Sequence, residues 1–333
     1  MNSPITGKEM TLIKENREVE FRKEKFNVVF HVYRCNDSGE QFTDTALDEL
    51  NMRQVYNQYR VSYNIPFPEE IIGIRDKYGI SAAKMSEILS FGINGYRNYE
   101  AGDMPSVSNA KLIRMIDNPG NFREMVKLSE GLDESTKTKL IKKAEELIEE
   151  KKHLFPVAHL KDYLLGNHMA DVYSGYRKPN LARFTEMTVF FAQYVKPYKT
   201  KLNKLLFYSD FLNYKLTCYS ISGVRYKAIQ MGPVPSNFNS VFEFLANKGE
   251  IDINYKEFQE GYGEQFVAKK GRPFNRDVFS STELAVLQTV AKKFKNGTTN
   301  KIIDISHSEV GWQKNQKQKG NISYDYAFEL KGI

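Results

Sequence analysis

Leu89-Ser90-Phe91-Gly92-Ile93-Asn94-Gly95-Tyr96-Arg97-Asn98-Tyr99-Glu100-Ala101-Gly102 is the most informative stretch of this chain. Lys84 to Leu89 reads as a helix, Ser90-Phe91-Gly92 as a break built on small residues, and Ile93 to Glu100 as a short second helix closed by Gly102. Helix, tight turn and second short helix is the helix-turn-helix arrangement, in which the second helix reaches base edges in the major groove of DNA. Asn94, Arg97 and Asn98 bring suitable groups: Asn pairs bidentately with adenine, Arg with guanine. Lys84, Asn94, Tyr96, Arg97 and Asn98 are therefore the candidate DNA contacts, with Ile93, Tyr96 and Tyr99 expected to fix the reader helix to its support. The competing reading is a plain helical bundle with a polar surface.

Outward from this stretch, residues 43 to 126 read as a run of short helices. Thr43 or Asp44, Ser81, and Ser106 or Ser108 stand where side-chain oxygens cap helix starts, and Pro119 opens a sixth helix. Residues 133 to 152 form a charged helix with one apolar stripe, Leu140, Ile141, Ala144, Leu147 and Ile148. It is expected to connect domains, either packed by that stripe on a neighbour or self-associating through it. Before residue 43, Phe26, Val28, Phe30 and Val32 alternate at period two, with Glu18 to Arg22 as the partner strand and Asn36-Asp37-Ser38-Gly39 as a turn.

After Pro156 the chain is richer in aromatics. Thr188 to Tyr194 and Leu202 to Tyr214 read as buried helices and Val224 to Ala228 as a strand. Met231-Gly232-Pro233-Val234-Pro235 reads as a rigid turn, and Asn237 to Leu245 as a helix. Hairpin character spans Gly249 to Val267, with Gly261 and Gly263 as turn points, and Ser281 caps a last substantial helix, Thr282 to Phe294. The expected fold class is α+β. It comprises a small antiparallel β domain (1–45), an all-α helix-turn-helix domain (46–130), a connector helix (131–155) and a mainly helical domain with a few strands (156–333).

Composition bounds the function. The 333 residues carry 22 Phe and 20 Tyr, too many for a disordered chain. No run approaches the length of a membrane span and no signal-peptide core opens the chain, so a cytoplasmic protein with no membrane partner is expected. A net charge of +7 permits a polyanionic partner without demanding one. Cys35 and Cys218 cannot build a disulfide framework, and His31, His153, His159, His168 and His307 are too scattered for a standard metal motif. No metal and no cofactor are expected.

The stretch Leu89 to Gly102, followed by Pro105 and Lys111-Leu112-Ile113, resembles the helix-turn-helix of two-domain antitoxin-type repressors related to MqsA. Members of that family begin with a zinc-binding domain holding two Cys-x-x-Cys pairs. Here Ser3-Pro4-Ile5-Thr6 stands at the first pair and Cys35-Asn36-Asp37-Ser38-Gly39-Glu40 at the second. One thiolate of four, even with His31 recruited, makes no tetrahedral zinc site. Asn94 matches the family's base-contacting Asn; Asn98 stands where the family has Arg, with Arg97 one step earlier. The resemblance thus implies a docking mode and not an operator sequence.

A second resemblance spans about Lys199 to Leu330. Leu202-Asn203-Lys204-Leu205-Leu206-Phe207-Tyr208-Ser209-Asp210-Phe211 is followed by Gly223, Tyr226 and Gly232-Pro233-Val234-Pro235. Leu284, Val290, Ser306-His307-Ser308-Glu309 and Trp312 complete the pattern. The order and spacing are similar to the Panacea (SocA-like) antitoxin domain. That resemblance implies a domain that silences a separately encoded toxin by binding it.

Tyr208, Asp210, Tyr226, Gly232, Pro233, Val234, Pro235, His307 and Trp312 are then the candidate toxin contacts. Each also has a purely architectural reading: Tyr208 and Asp210 bonded to a loop, the Gly-Pro-Val-Pro run as a stiff turn, His307 with Trp312 as a packed pair. The basic run Lys314 to Lys319 is a solvated surface or a contact to phosphate or an acidic face. His307, Glu309, Asp210 and Cys218 are the only acid–base or nucleophile candidates, with no catalytic motif around them, so no enzyme is expected. Together the two resemblances imply a homodimeric antitoxin whose partners are a cognate toxin protein and operator DNA. The alternative is a stand-alone DNA-binding regulator whose C-terminal domain senses a ligand or partner.

Overall fold

The computed structural model describes residues 1–153, 155–258 and 261–333, with side chains outside 151–159 and 258–261. Strands β1 (Thr11–Phe21), β2 (Glu24–Arg34) and β3 (Gln41–Phe42) come first, followed by helix α1 (Thr45–Ser62). Helices α2 (Pro68–Lys77), α3 (Ala82–Leu89), α4 (Gly95–Ala101), α5 (Val107–Met115), α6 (Pro119–Leu128), α7 (Glu134–His153) and α8 (Phe155–Leu165) follow. Next come α9 (Leu181–Tyr194), α10 (Lys199–Thr217), β4 (Tyr226–Ile229), β5 (Gly232–Pro235), α11 (Phe238–Asn247), β6 (Ile251–Phe258) and β7 (Gly261–Ala268). Helices α12 (Ser281–Phe294), α13 (Thr299–His307) and α14 (Val310–Asn315) close the order, with a 3-10 turn over Tyr324–Glu329 after them. The fold is α+β.

The chain divides into two compact units, Met1–Arg53 with Leu160–Ile333, and Gln54–His159. In the first unit β1 and β2 form an eleven-residue antiparallel ladder, Thr11 opposite Arg34 through Phe21 opposite Glu24, and β3 adds two residues beside β2. Phe26, Val28 and Val32 are buried as their period predicts. Arg22 ends up in the turn, where Arg22 and Lys23 both take positive φ, and the partner strand starts at Thr11.

The sheet expected to stand as its own domain (1–45) groups instead with the C-terminal segment. Lys14 Nζ donates to the Phe328 carbonyl at 2.6 Å and the His31 ring meets Phe328 edge-on at 4.8 Å. These contacts pack the sheet against the tail.

Several local expectations shift. Gly232–Pro235 is no free turn but strand β5, paired with β4 from Tyr226 opposite Pro235 to Ile229 opposite Gly232. Prolines are tolerated there because β5 lies at the edge of a two-stranded sheet, where a missing N–H costs no ladder bond. Gly261 and Gly263 lie within β7, opposite Phe258 and Lys256; residues 259 and 260 lie outside the described residues. Ser280, not Ser281, caps α12, in a capping box with Glu283. Helices α13 and α14 follow what was read as the last substantial helix.

In the second unit the helices surround one core of Ile71, Ile74, Tyr78, Met85, Ile88, Leu89, Tyr96, Ile113, Ile116, Phe122, Val126 and Leu132. Leu140 and Ala144 of α7 are buried in the same core, with Ile141 and Leu147 against it. The charged helix therefore packs by its stripe inside this unit and is no free connector; the end assigned to it at 154–155 meets residue 154, outside the described residues.

Candidate functional site

The candidate residues fall into two sets, one in each unit. In the helical unit, Ser81 caps α3 by accepting from the Lys84 N–H at 3.2 Å. Ser90 ends α3 at φ 56° and Gly92 follows at φ 78°, so the chain reverses through two left-handed residues before α4. The buried Ser86 hydroxyl accepts from the Tyr96 N–H at 2.9 Å, tying the start of α4 to α3. Tyr96 itself is fully buried, and its hydroxyl donates to the Ile71 carbonyl at 2.9 Å. It anchors α4 and cannot face a groove, which removes it from the candidate DNA contacts.

Tyr99 shares the anchoring role: its hydroxyl accepts from Asn109 Nδ2 at 2.9 Å and its ring meets Phe91 edge-on. Ile93 does not. It is 85% exposed, because α4 begins two residues later than its apolar character suggested.

Asn94, Arg97, Asn98 and Ala101 fall at i, i+3, i+4 and i+7, and all are exposed. Among the described residues the Asn94, Arg97 and Asn98 side chains have no hydrogen-bond or ion-pair partner. Lys84 is on the preceding helix, ion-paired to Glu87 at 2.8 Å. Between residues 54 and 159 Lys and Arg equal Asp and Glu in number, so the chain's basic excess lies in the other unit.

At the N-terminus, Ser3 accepts from the Ile5 and Thr6 N–H groups, and the Thr6 hydroxyl is 3.5 Å from Cys35 Sγ. Hydrogen bonds from the Ser3 and Ser38 hydroxyls, the Ser38 backbone and the Thr6 hydroxyl pull the Cys35 thiol pKa down to about 6. The four positions of the expected zinc pairs therefore do converge, but three carry hydroxyls. They do not fit a zinc ion. His31 sits four residues down β2 with its ring on Phe328, and burial lowers its pKa. Among the described residues no three His, Cys, Asp or Glu side chains group as a metal site; His153 and His159 are outside the described side chains.

In the first unit, the residues proposed from sequence as toxin contacts meet inside the molecule. Asp210 is completely buried on α10, and its carboxylate accepts from the Ile221 and Ser222 N–H groups at 2.7 and 2.8 Å. The Ser222 hydroxyl donates to it at 2.5 Å and the Tyr226 hydroxyl at 2.8 Å. Burial pushes its pKa up against those donors. Tyr208 donates to Glu309 Oε1 at 3.0 Å, and Glu309 also accepts from the Lys331 and Gly332 N–H groups, fastening the tail to α10. Gly232, Pro233, Val234 and Pro235 are all buried. His307 stacks on Trp312 at 4.0 Å, and Trp312 Nε1 donates to the Ile229 carbonyl at 2.8 Å.

Tyr208, Asp210, Tyr226 and the Gly-Pro-Val-Pro strand are thus a hydrogen-bonded core and do not form a contact surface. Hydrogen bonds of Tyr208, Asp210 and Lys204 fasten the tail, the loop at Ile221–Ser222 and β5 to α10. Sequence reasoning missed the most unusual member, Lys204. It is fully buried, donates to the Pro233 carbonyl at 3.0 Å, and has its pKa lowered to about 7 by burial. Its signal was a charge set between Leu202 and the apolar run Leu205, Leu206 and Phe207.

The acid–base candidates are spent on architecture. Burial pushes the Cys218 thiol pKa up to about 12, Asp210 and Glu309 hold the bonds just given, and His307 lies under Trp312. Lys317 and Lys319 of the basic run are exposed, and Lys314 lies 5.3 Å from the Tyr326 ring. Among the described residues no helix is long and apolar enough to cross a membrane. Neither a curated protein nor a solved structure matches the chain. Residues 202–313, from the second turn of α10 into α14, match the family described as antitoxin SocA-like, Panacea domain.

Proposed function

We propose that the chain is the antitoxin of a type II toxin–antitoxin pair, a protein that neutralises its cognate toxin by direct binding and represses its own operon. The match of residues 202–313 to the SocA-like antitoxin domain carries this reading. That segment holds α10 with its buried network, so the matched residues are the organising core of the larger unit. Neutralisation is stoichiometric: an ordinary interface would remove on the order of 1,600 Å² from water without chemistry.

Repression rests on α3, the turn and α4. The exposed, unengaged Asn94, Arg97 and Asn98 support a reader helix held in place by Tyr96 and Ser86. Two-fold symmetry in a homodimer would present two such helices to half-sites about one helical turn apart. Because the helical unit has no net basic excess, its operator binding draws on base contacts more than on phosphate neutralisation.

The test is co-expression. Growth arrest by an adjacent toxic reading frame should be relieved by this chain, the two products should co-purify, and the complex or free chain should shift its own upstream DNA. Relief without co-purification would remove the binding mechanism; a purified chain with no selective shift at moderate salt would remove the repressor half.

A further inference from the structure

Between α9 and α12 of the larger unit lies a cleft of about 530 Å³, an ordinary size for a ligand pocket. Phe190, Tyr194 and Phe274 wall it, with the Phe190 ring centroid 4.7 Å from Tyr194 and 5.3 Å from Phe274. Leu284 and Ala291 line it from α12. Arg276, Lys292 and Lys295 line it too; all three are exposed, and none has an ion pair among the described residues. No Asp or Glu lines the cleft among the described residues.

The wall is built in advance. Arg272 is ion-paired with Glu186, a buried carboxylate on α9, and with Glu250 at 2.6 Å. Glu186 also accepts from the Asn275 N–H at 2.9 Å. These bonds clamp the loop that presents Pro273 and Phe274, so an occupant would meet a formed surface and lose little affinity to ordering it.

We propose that this cleft anchors the toxin, taking one aromatic or aliphatic side chain from a segment whose neighbouring residues are acidic. The assignment rests on the antitoxin reading above. Aromatic walls with cations beside them are the composition of interface hot spots, and three uncompensated cations select a carboxylate-bearing partner. Binding of a nucleotide in preference is the competing outcome of the test below. Lys292 and Lys295 come from the C-terminal end of α12. The carbonyl groups of Lys295 and Gly297 are turned to Lys201 Nζ at 3.2 and 2.6 Å.

Selection of a displayed random-peptide library on the full chain tests the cleft. Enriched peptides should carry Asp or Glu around a Trp, Phe or Leu. The exposed double variant Lys292→Glu/Lys295→Glu should bind them about tenfold or more weakly. The same variant should regain affinity for peptides whose acids are changed to Lys. Enrichment without acids, equal binding by the reversed variant, or tighter binding of ATP or GTP than of the peptides would overturn the assignment. If the product of the adjacent toxic reading frame binds wild-type and reversed chains alike, the cleft is wrong and the antitoxin reading stands. If it binds neither, the antitoxin reading fails and the peptide result decides the cleft alone.

Discussion

The Lys204 ammonium reaches the Pro233 carbonyl at 3.0 Å from a fully buried position on α10. The approach requires glycine next door. Gly232 has φ +95°, and a Cβ there would come within 2.5 Å of both Lys204 Cε and Ser306 Oγ. Burial lowers the Lys204 pKa from 10.5 to about 7. In the unfolded chain the amine keeps its proton to about 10.5, whereas in the folded chain it loses it near 7. Between those values the unfolded state binds more protons, so this group makes stability rise with pH; below about 7 the penalty of the buried charge is fully in force. Lys204→Met should flatten the rise in urea midpoint between pH 7 and pH 10. A variant that kept the wild-type slope would show that another group titrates there.

Asp210 offers the cleanest separation of core from contact. Asn in its place accepts fewer of the four donors from Ile221, Ser222 and Tyr226, so a buried donor set loses its charged acceptor. Loss of hydrogen bonds to a charged group predicts a destabilisation of about 1.5–3 kcal/mol. Thermal midpoint and toxin neutralisation should fall together in Asp210→Asn. A variant as stable as wild type but unable to neutralise would return Asp210 to the contact surface.

In the helical unit, Tyr96 and Arg97 are adjacent in sequence and opposite in role. Tyr96→Phe removes the bond to the Ile71 carbonyl and should cost about 0.5–1.5 kcal/mol of stability, with operator affinity unchanged while the unit remains folded. Arg97→Ala and Asn94→Ala should leave the thermal midpoint almost unmoved and weaken selective DNA binding by about 1–3 kcal/mol each. Calorimetry and mobility shift on the same preparations give both readouts. Equal affinity of all three variants for the upstream DNA would mean that α4 reads nothing.

Periodicity and caps made much of the helical unit legible. Ser81, Ser106 and Pro119 mark the starts of α3, α5 and α6, and Gly102 ends α4 in the left-handed conformation. What sequence could not give was the side to which a polar residue turns. Tyr96 and Arg97 both look like groove residues until burial sorts them. Tyr208, Asp210 and Tyr226 read equally well as an interface or as a core, because a buried hydrogen-bonded carboxylate and an exposed one leave the same letter in the chain. Long-range closure was also hidden. Nothing in Lys14 or His31 announces Phe328, 314 residues beyond Lys14, and nothing in Glu309 announces Gly332, 23 residues on; local pattern carries no signal for such pairings.

The convergence of Ser3, Thr6 and Ser38 on Cys35 leads to a gain-of-function prediction. The Thr6 hydroxyl already lies 3.5 Å from Cys35 Sγ, and tetrahedral ligation with Zn–S bonds of about 2.3 Å needs sulfurs only about 3.8 Å apart. The first loop is closed by Gly7 N–H to Ser3 O at 2.9 Å and the second by Gly39 N–H to Cys35 O at 2.8 Å, so both backbones are preset. Ser3→Cys/Thr6→Cys/Ser38→Cys, with the native Cys35, should bind one zinc ion per chain, and its cobalt form should show the visible bands of a tetrahedral thiolate site. The metal should raise the thermal midpoint of the larger unit, and chelation should reverse the rise, because zinc affinity is folding free energy when the site exists only in the folded chain. The wild-type chain should take up none under the same conditions. A triple variant that stays colourless with cobalt would show that the two loops do not meet around a common centre.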